Sequence, residues 1–197
     1  MNMRQEFEKS IEEAKKFIHE IKDTAHNFTH IKSVVEFAIK IAEEYAEVDT
    51  DLIEVAAWWH DVGRLYYEIH EKLSAEMAYK SLKNLNVETE LCQKVYDAIV
   101  FHKWSMQPQT IEGDILRDAD KLDFISISRW KSCLENNNLE ALQDLSNLLP
   151  RLRNEFLHLE ISKNIYDIQI IKFREFIKKI DEPNFFEIKN QILAMKI

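Results

Sequence analysis

A chain of 197 residues that is 46% apolar can bury one sizeable core, and its two glycines and three prolines leave little turn chemistry, which points to long helices and an all-α fold. A net charge of −9, from 26 Lys and Arg against 35 Asp and Glu, argues against general nucleic-acid binding, because phosphate contacts need clustered cations. Cys92 and Cys133 stand far apart, which excludes a disulfide framework, and no apolar run approaches the roughly 20 residues that span a bilayer.

The chain opens on alternating charged and apolar residues without a signal-peptide core, so a soluble cytoplasmic protein is expected. Phe7, Ile11, Ala14, Ile18 and Ile21 predict a first helix over about 3–22. A second runs from about Thr29 to Ala46 with Ile31, Val34, Val35, Ala38 and Ile41 on its apolar face. Asp49 and Asp51 offer N-caps for a third, which should end near Val62-Gly63 with the glycine in the left-handed C-terminal position. Helical segments follow at about 71–84, 89–101 and from 111 past Asp123, the last preceded by the loop "HKWSMQPQT". "ENNN" at 135–138 and Pro150 punctuate the next segments; 160–181 is a long amphipathic stretch, and "DEPNFF" opens a last helix. With no repeat or linker, residues 1–197 read as one domain, a motif-bearing core over about 25–125 with a helical extension over about 126–197.

The polar residues that interrupt these helices carry the chemistry. His30 lies near the start of the second helix, His60-Asp61 at the end of the third, and Asp120 in "LRDADKLD". A helix bundle can bring such residues together in its core. Two imidazoles and two carboxylates suit a divalent transition metal, and their charge of −2 balances it and leaves the centre electrophilic. The bland alternative for His60-Asp61 taken alone is a cap or a satisfied core pair.

"AHNFTHIKSVVEFAIKIAEE", "AAWWHDVGR" and "LRDADKLD", in that order, resemble the signature of the HD superfamily of metal-dependent phosphohydrolases. The similarity covers about residues 25–125, and the later "NIYDIQIIKFREFIKKI" is similar to helices that follow the HD core in bacterial members. The resemblance implies an HD-like helical bundle in which His30, His60, Asp61 and Asp120 are metal ligands. It implies one or two divalent ions (Mn, Fe, Co, Ni, Zn or Mg), with His70 and His102 either completing a second metal site or facing substrate. The implied activity is hydrolysis of a phosphate ester of a small metabolite or nucleotide by a metal-activated water, which Asp61 would orient. Rival readings are a metal-containing nucleotide-binding regulatory module without turnover and a di-iron oxygenase.

Arg64 and Lys121 are the cations best placed to hold an anionic oxygen, although Arg64 could equally pair with Glu68 or Glu71. His26 could bind phosphate, donate a proton or serve structure, and Glu71 is a further candidate acid or base. Asp118 reads as a cap near a helix N-terminus, Asp123 as a partner of a ligand or a surface residue. His19 and His158 read as ordinary histidines. Trp58, Trp59, Phe101 and Trp130 read as packing, and Trp104 stays open as a stacking residue. No membrane partner is expected, and the apolar-faced C-terminal helices could make a homodimer interface.

Overall fold

The computed structural model describes residues 3–66, 70–103 and 105–196; Glu68 and Trp104 lie outside the described residues. Helix α1 (Met3–Ile18) buries Phe7, Ile11, Ala14 and Ile18, the stripe its sequence spacing marks. Phe7, Ile11 and Ile18, once buried, each contribute about 1.5–3 kcal/mol of transfer free energy. Arg4 ties the start of α1 to Asp51 and Glu54, the latter at 2.9 Å.

Helix α2 (Phe28–Ala42) begins where Asn27 accepts from the backbone N–H groups of Thr29 and His30, which fixes His30 in the first turn. Asp49 caps α3 (Thr50–Trp59) in the same way, accepting from Asp51 and Leu52. Helices α4 (Glu71–Asn84), α5 (Thr89–Phe101) and α6 (Ile111–Leu122) complete the layer around α2 and α3, with α6 packed on both α2 and α5. Trp58 and Trp59 are buried at the end of α3, and Trp59 donates from Nε1 to Ser10 on α1.

Two expectations near the third helix need correction. It ends at Trp59, and residues 62–65 form a separate 3-10 turn. Gly63 is not left-handed, since no glycine has positive φ. Its smallness answers a close approach: a Cβ there would lie 2.6 Å from the His70 carbonyl oxygen and 2.9 Å from Ser74 Oγ. The Gly63 N–H donates to that same Ser74 hydroxyl at 2.9 Å.

The C-terminal part is helical too: α7 (Ile127–Glu135), α8 (Leu139–Arg151), α9 (Glu160–Lys179) and α10 (Phe186–Ala194). Helix α7 packs on α2, and α9 packs on α6. Pro150 sits inside α8, one residue before its end. Asp118 is also not where the sequence suggested. It lies deep in α6, fully buried, and its carboxylate accepts from the backbone N–H groups of His158 and Leu159, just ahead of α9. No strand occurs among the described residues, and none of their helices is long and apolar enough to cross a membrane. The fold is all-α.

Candidate metal centre and adjoining cleft

Helix ends build the site. His60 is the residue after α3, and His102 is the residue after α5. Both turn their Nδ1 back to a carbonyl three residues earlier, His60 to Ala57 at 2.7 Å and His102 to Ile99 at 2.5 Å. A carbonyl only accepts, so Nδ1 carries the proton and Nε2 is left with a lone pair. The same bonds satisfy carbonyls that the helix ends would otherwise leave open. His30 is held from the side by Asp123, whose Oδ2 is 2.6 Å from His30 Nδ1.

The rings gather in a row: His30 and His60 have centroids 5.4 Å apart, His60 and His102 5.3 Å, and His70 and His102 6.1 Å. Asp61 lies between them. Its Oδ1 is 2.6 Å from His70 Nε2, and its Oδ2 is 3.4 Å from His30 Nε2, 3.7 Å from His60 Nε2 and 2.9 Å from Arg64 Nε. Asp120, in the last turn of α6, brings Oδ1 to 3.6 Å from His30 Nε2, while Lys121 Nζ lies 2.5 Å from its other oxygen. Ligand-type atoms of His30, His60 and Asp120 lie within 4.8 Å of one another, as do those of His60, Asp61 and His102.

These residues are buried, yet His30 Nε2, His60 Nε2 and Asp61 Oδ2 have no aligned hydrogen-bond partner. Buried polar atoms are normally satisfied, so two imidazole nitrogens left open against one carboxylate call for a ligand. The protonation of His60, His102 and the two carboxylates suits a cation, whereas His30, raised by Asp123 and Asp61 against burial and Arg129, would give up a proton to ligate one. Burial pushes the His60 imidazole down to about 3 and lowers His102 as well, so both are neutral at pH 7. Burial would raise the Asp61 and Asp120 carboxyls, but His60 and Arg64 around the first, and Lys121 and His30 around the second, hold both well below the usual carboxylate range. Neutral imidazoles and ionised carboxylates are the forms that hold metals. The donor set could hold a divalent ion.

Beside this cluster is a cleft of about 200 Å³, lined among others by His26, Arg64, Asp120, Lys121 and Arg129. Of the residues singled out from the sequence, the structure thus brings His30, His60, Asp61, His70, His102 and Asp120 together, with Arg64, Lys121 and His26 along the cleft. Arg64 pairs with Asp61, whereas Glu71 is taken by Lys103 at 3.2 Å. His26 makes a 2.6 Å contact from Nδ1 to Asp23, and burial lowers it to about 4. Neutral at pH 7, it offers an acceptor at Nε2, 3.4 Å from Arg129 Nη2.

Asp123 is fully buried, which removes the surface alternative. Arg129, from α7, was not singled out from the sequence. It donates to Asp123 Oδ2 at 3.0 Å and is itself 4% exposed. Its place six residues beyond Asp123, in a new helix, follows no local spacing that would flag it. His19 stacks on Phe28, and His158 pairs with Asp114, both away from the cluster.

A family model described as HD domain matches residues 27–125. YpgQ of Bacillus subtilis (strain 168), an uncharacterized protein, is 30% identical over 108 residues, so the chain spans about half the length of this curated relative, 52%. Among solved structures, a predicted HD superfamily hydrolase from an uncultured Thermotogales bacterium superposes with a TM-score of 0.67 at 23% identity, over 91% of this chain and 97% of that one. Bacillus subtilis YpgQ in complex with ADP gives 0.63 at 21% identity, over 91% and 99%. At these identities the structural likeness shows the fold.

Proposed function

Because the chain belongs to the HD domain family, we propose that it is a metal-dependent phosphohydrolase acting on a phosphate ester of a small metabolite or nucleotide. The observation that carries this reading is the convergence of buried His30 Nε2 and His60 Nε2, neither with an aligned hydrogen bond, on the Asp61 carboxylate, beside a cleft whose lining includes Arg64, Lys121 and Arg129. His30, His60, Asp61 and Asp120 would hold the ion, and His70 with His102 would complete a second position against Asp61. A divalent ion in such a set lowers the pKa of bound water towards neutrality and supplies a nucleophile. Asp61, with one oxygen towards His70 and the other towards Arg64, orients what approaches the cluster. Arg64 and Lys121 meet the negative charge of the phosphate, and their charge counts for more in a half-enclosed cleft than in water. His26, held by Asp23, steadies Arg129 at the cleft wall. The ADP complex of the B. subtilis neighbour favours nucleotides among phosphorylated substrates.

Elemental analysis of the purified chain, followed by a phosphoester panel with added Mn, Fe, Co, Ni, Zn or Mg, tests this. Phosphate release that Asp61→Ala abolishes together with bound metal is expected. A metal-loaded chain inert to the whole panel would sink hydrolysis: ligand stabilisation without product would then indicate a regulatory module, and oxygen uptake by the iron form an oxygenase.

A further inference from the structure

The cleft adjoins a second cavity of about 190 Å³, walled by Lys121, Phe124, Leu148, Arg151 and Phe156. Lys121, Phe124 and Leu148 line both spaces, so the second lies against the wall where Lys121 meets Asp120. Leu148, Arg151 and Phe156 come from beyond residue 125, outside the matched family region.

The backbone there is shaped for it. Pro150 has no N–H to continue the ladder of α8, and residues 152–156 widen into a π-helical turn, with Leu157 N–H bonded to the Leu152 carbonyl at 3.1 Å. Such single π turns recur at binding sites. This one turns Phe156 inward, leaving it 6% exposed. A cation already lies over each ring: Lys121 Nζ is 5.4 Å from the Phe124 centroid, and Arg151 Cζ is 5.1 Å from that of Phe156. Arg129 Cζ is also 5.5 Å from the Phe124 centroid, so a planar partner entering the slot would replace one of these cations on a ring or stack on the Arg151 guanidinium itself. None of the five lining side chains is a hydrogen-bond acceptor, so a sugar's hydroxyls would find no side-chain acceptor there.

We propose that this slot takes the heteroaromatic base of a nucleotide whose phosphate lies among Arg64, Lys121 and Arg129, and that it selects the base by stacking rather than by reading its edge. The proposal rests on the phosphohydrolase reading and names its substrate class.

The test is isothermal titration of the full chain, with chelator present to prevent turnover, using AMP, GMP, UMP and ribose 5-phosphate. AMP and GMP should bind about tenfold tighter than ribose 5-phosphate and within about threefold of each other, with UMP between, as stacking area dictates. Leu148→Trp, which fills the slot, should bring AMP down to the affinity of ribose 5-phosphate. Arg151→Glu, at the exposed rim, should cost AMP more than ribose 5-phosphate. Equal binding of AMP and ribose 5-phosphate by the unmodified chain overturns the slot, as does a folded Leu148→Trp chain that keeps the base preference. Phosphate release from glycerol 3-phosphate, a phosphate ester without a base, reads the hydrolase separately. A metal-bearing chain that cleaves it without base preference loses only the slot; one that prefers AMP but cleaves nothing loses only the hydrolase.

Discussion

Asp123 touches no candidate ligand oxygen, yet it holds His30 by Nδ1 and is itself held by Arg129. Partners of this kind orient a ligating imidazole and raise its basicity, so Asp123→Asn should weaken metal binding about 10- to 100-fold in a chelator competition. Unchanged affinity would mean that His30 is not a ligand. The same cluster predicts a pH dependence for the metal-free chain. Burial lowers His60 to about 3, His26 to about 4, and His102 as well. His30 moves the other way: burial and Arg129 lower it, but Asp123 and Asp61 outweigh them and raise it. Below the ordinary value of 6.5, the unfolded chain binds protons at His60 and His26 that the fold excludes, and His102 is shifted the same way, so folding loses stability as pH falls from 6.5 towards 4. His30 opposes this only above 6.5, because its contribution is present below 6.5 and lost as pH rises through its raised folded value. Below 6.5 the His30 contribution is constant, so the urea midpoint should drop between pH 6.5 and pH 4; a rising midpoint would contradict the assignment. Much of the site was legible at this scale because His30, His60-Asp61 and Asp120 sit in short contiguous strings. Arg129 was not, since its contact with His30 joins positions 99 apart and leaves no local pattern.

Helices α6 and α9 meet through one buried carboxylate. Asp118 accepts from His158 and Leu159, and replacing it with Ala would leave two backbone donors unpaired, at a cost of about 2–4 kcal/mol in urea unfolding. A cost under about 0.5 kcal/mol, the usual scatter of surface changes, would remove it as a latch. Gly63→Ala makes the converse test, since its Cβ would press on the His70 backbone. Such overpacking costs about 1–3 kcal/mol and should displace His70 from Asp61. The helices themselves were readable from apolar spacing, and the segments at 71–84 and 89–101 match α4 and α5 end to end. Their ends were less so. The glycine at 63 suggested a left-handed stop, but what requires it is the approach of Ser74 and His70, residues the local sequence cannot place. Asp118 was misjudged for the same reason, as its partners lie 40 and 41 positions away.

Over the whole molecule a net charge of −9 surrounds a cleft edged by Arg64, Lys121 and Arg129. An acidic exterior discourages polyanions such as nucleic acid, while a local cationic pocket still admits a small phosphate. A ligand that binds only the folded chain stabilises it by mass action, about 2.7 kcal/mol at a free concentration 100 times Kd. The fitting divalent ion should therefore raise Tm in proportion to the logarithm of its concentration, and Asp61→Ala should abolish the rise. The contacts of α7 with α2 and of α9 with α6 lead us to expect one unfolding transition for the full chain, seen together by far-ultraviolet dichroism and tryptophan fluorescence. Two separated transitions would instead divide the core from the extension. The all-α class followed from scarce glycine and proline, whereas the packing of the extension against the site depends on contacts far apart in the chain.

Arg129 also limits where this protein can be cut. The family match stops at residue 125, four residues short of it, but Asp123 inside that match is buried and takes its counter-charge from Arg129. Excising the matched segment as a portable module would take the guanidinium from the carboxylate beneath His30, and removing one partner of a buried ion pair is among the costlier defects a fold can carry. The smallest transplantable unit therefore reaches at least through α7, so a boundary drawn by sequence likeness is not one at which electrostatic neutrality closes.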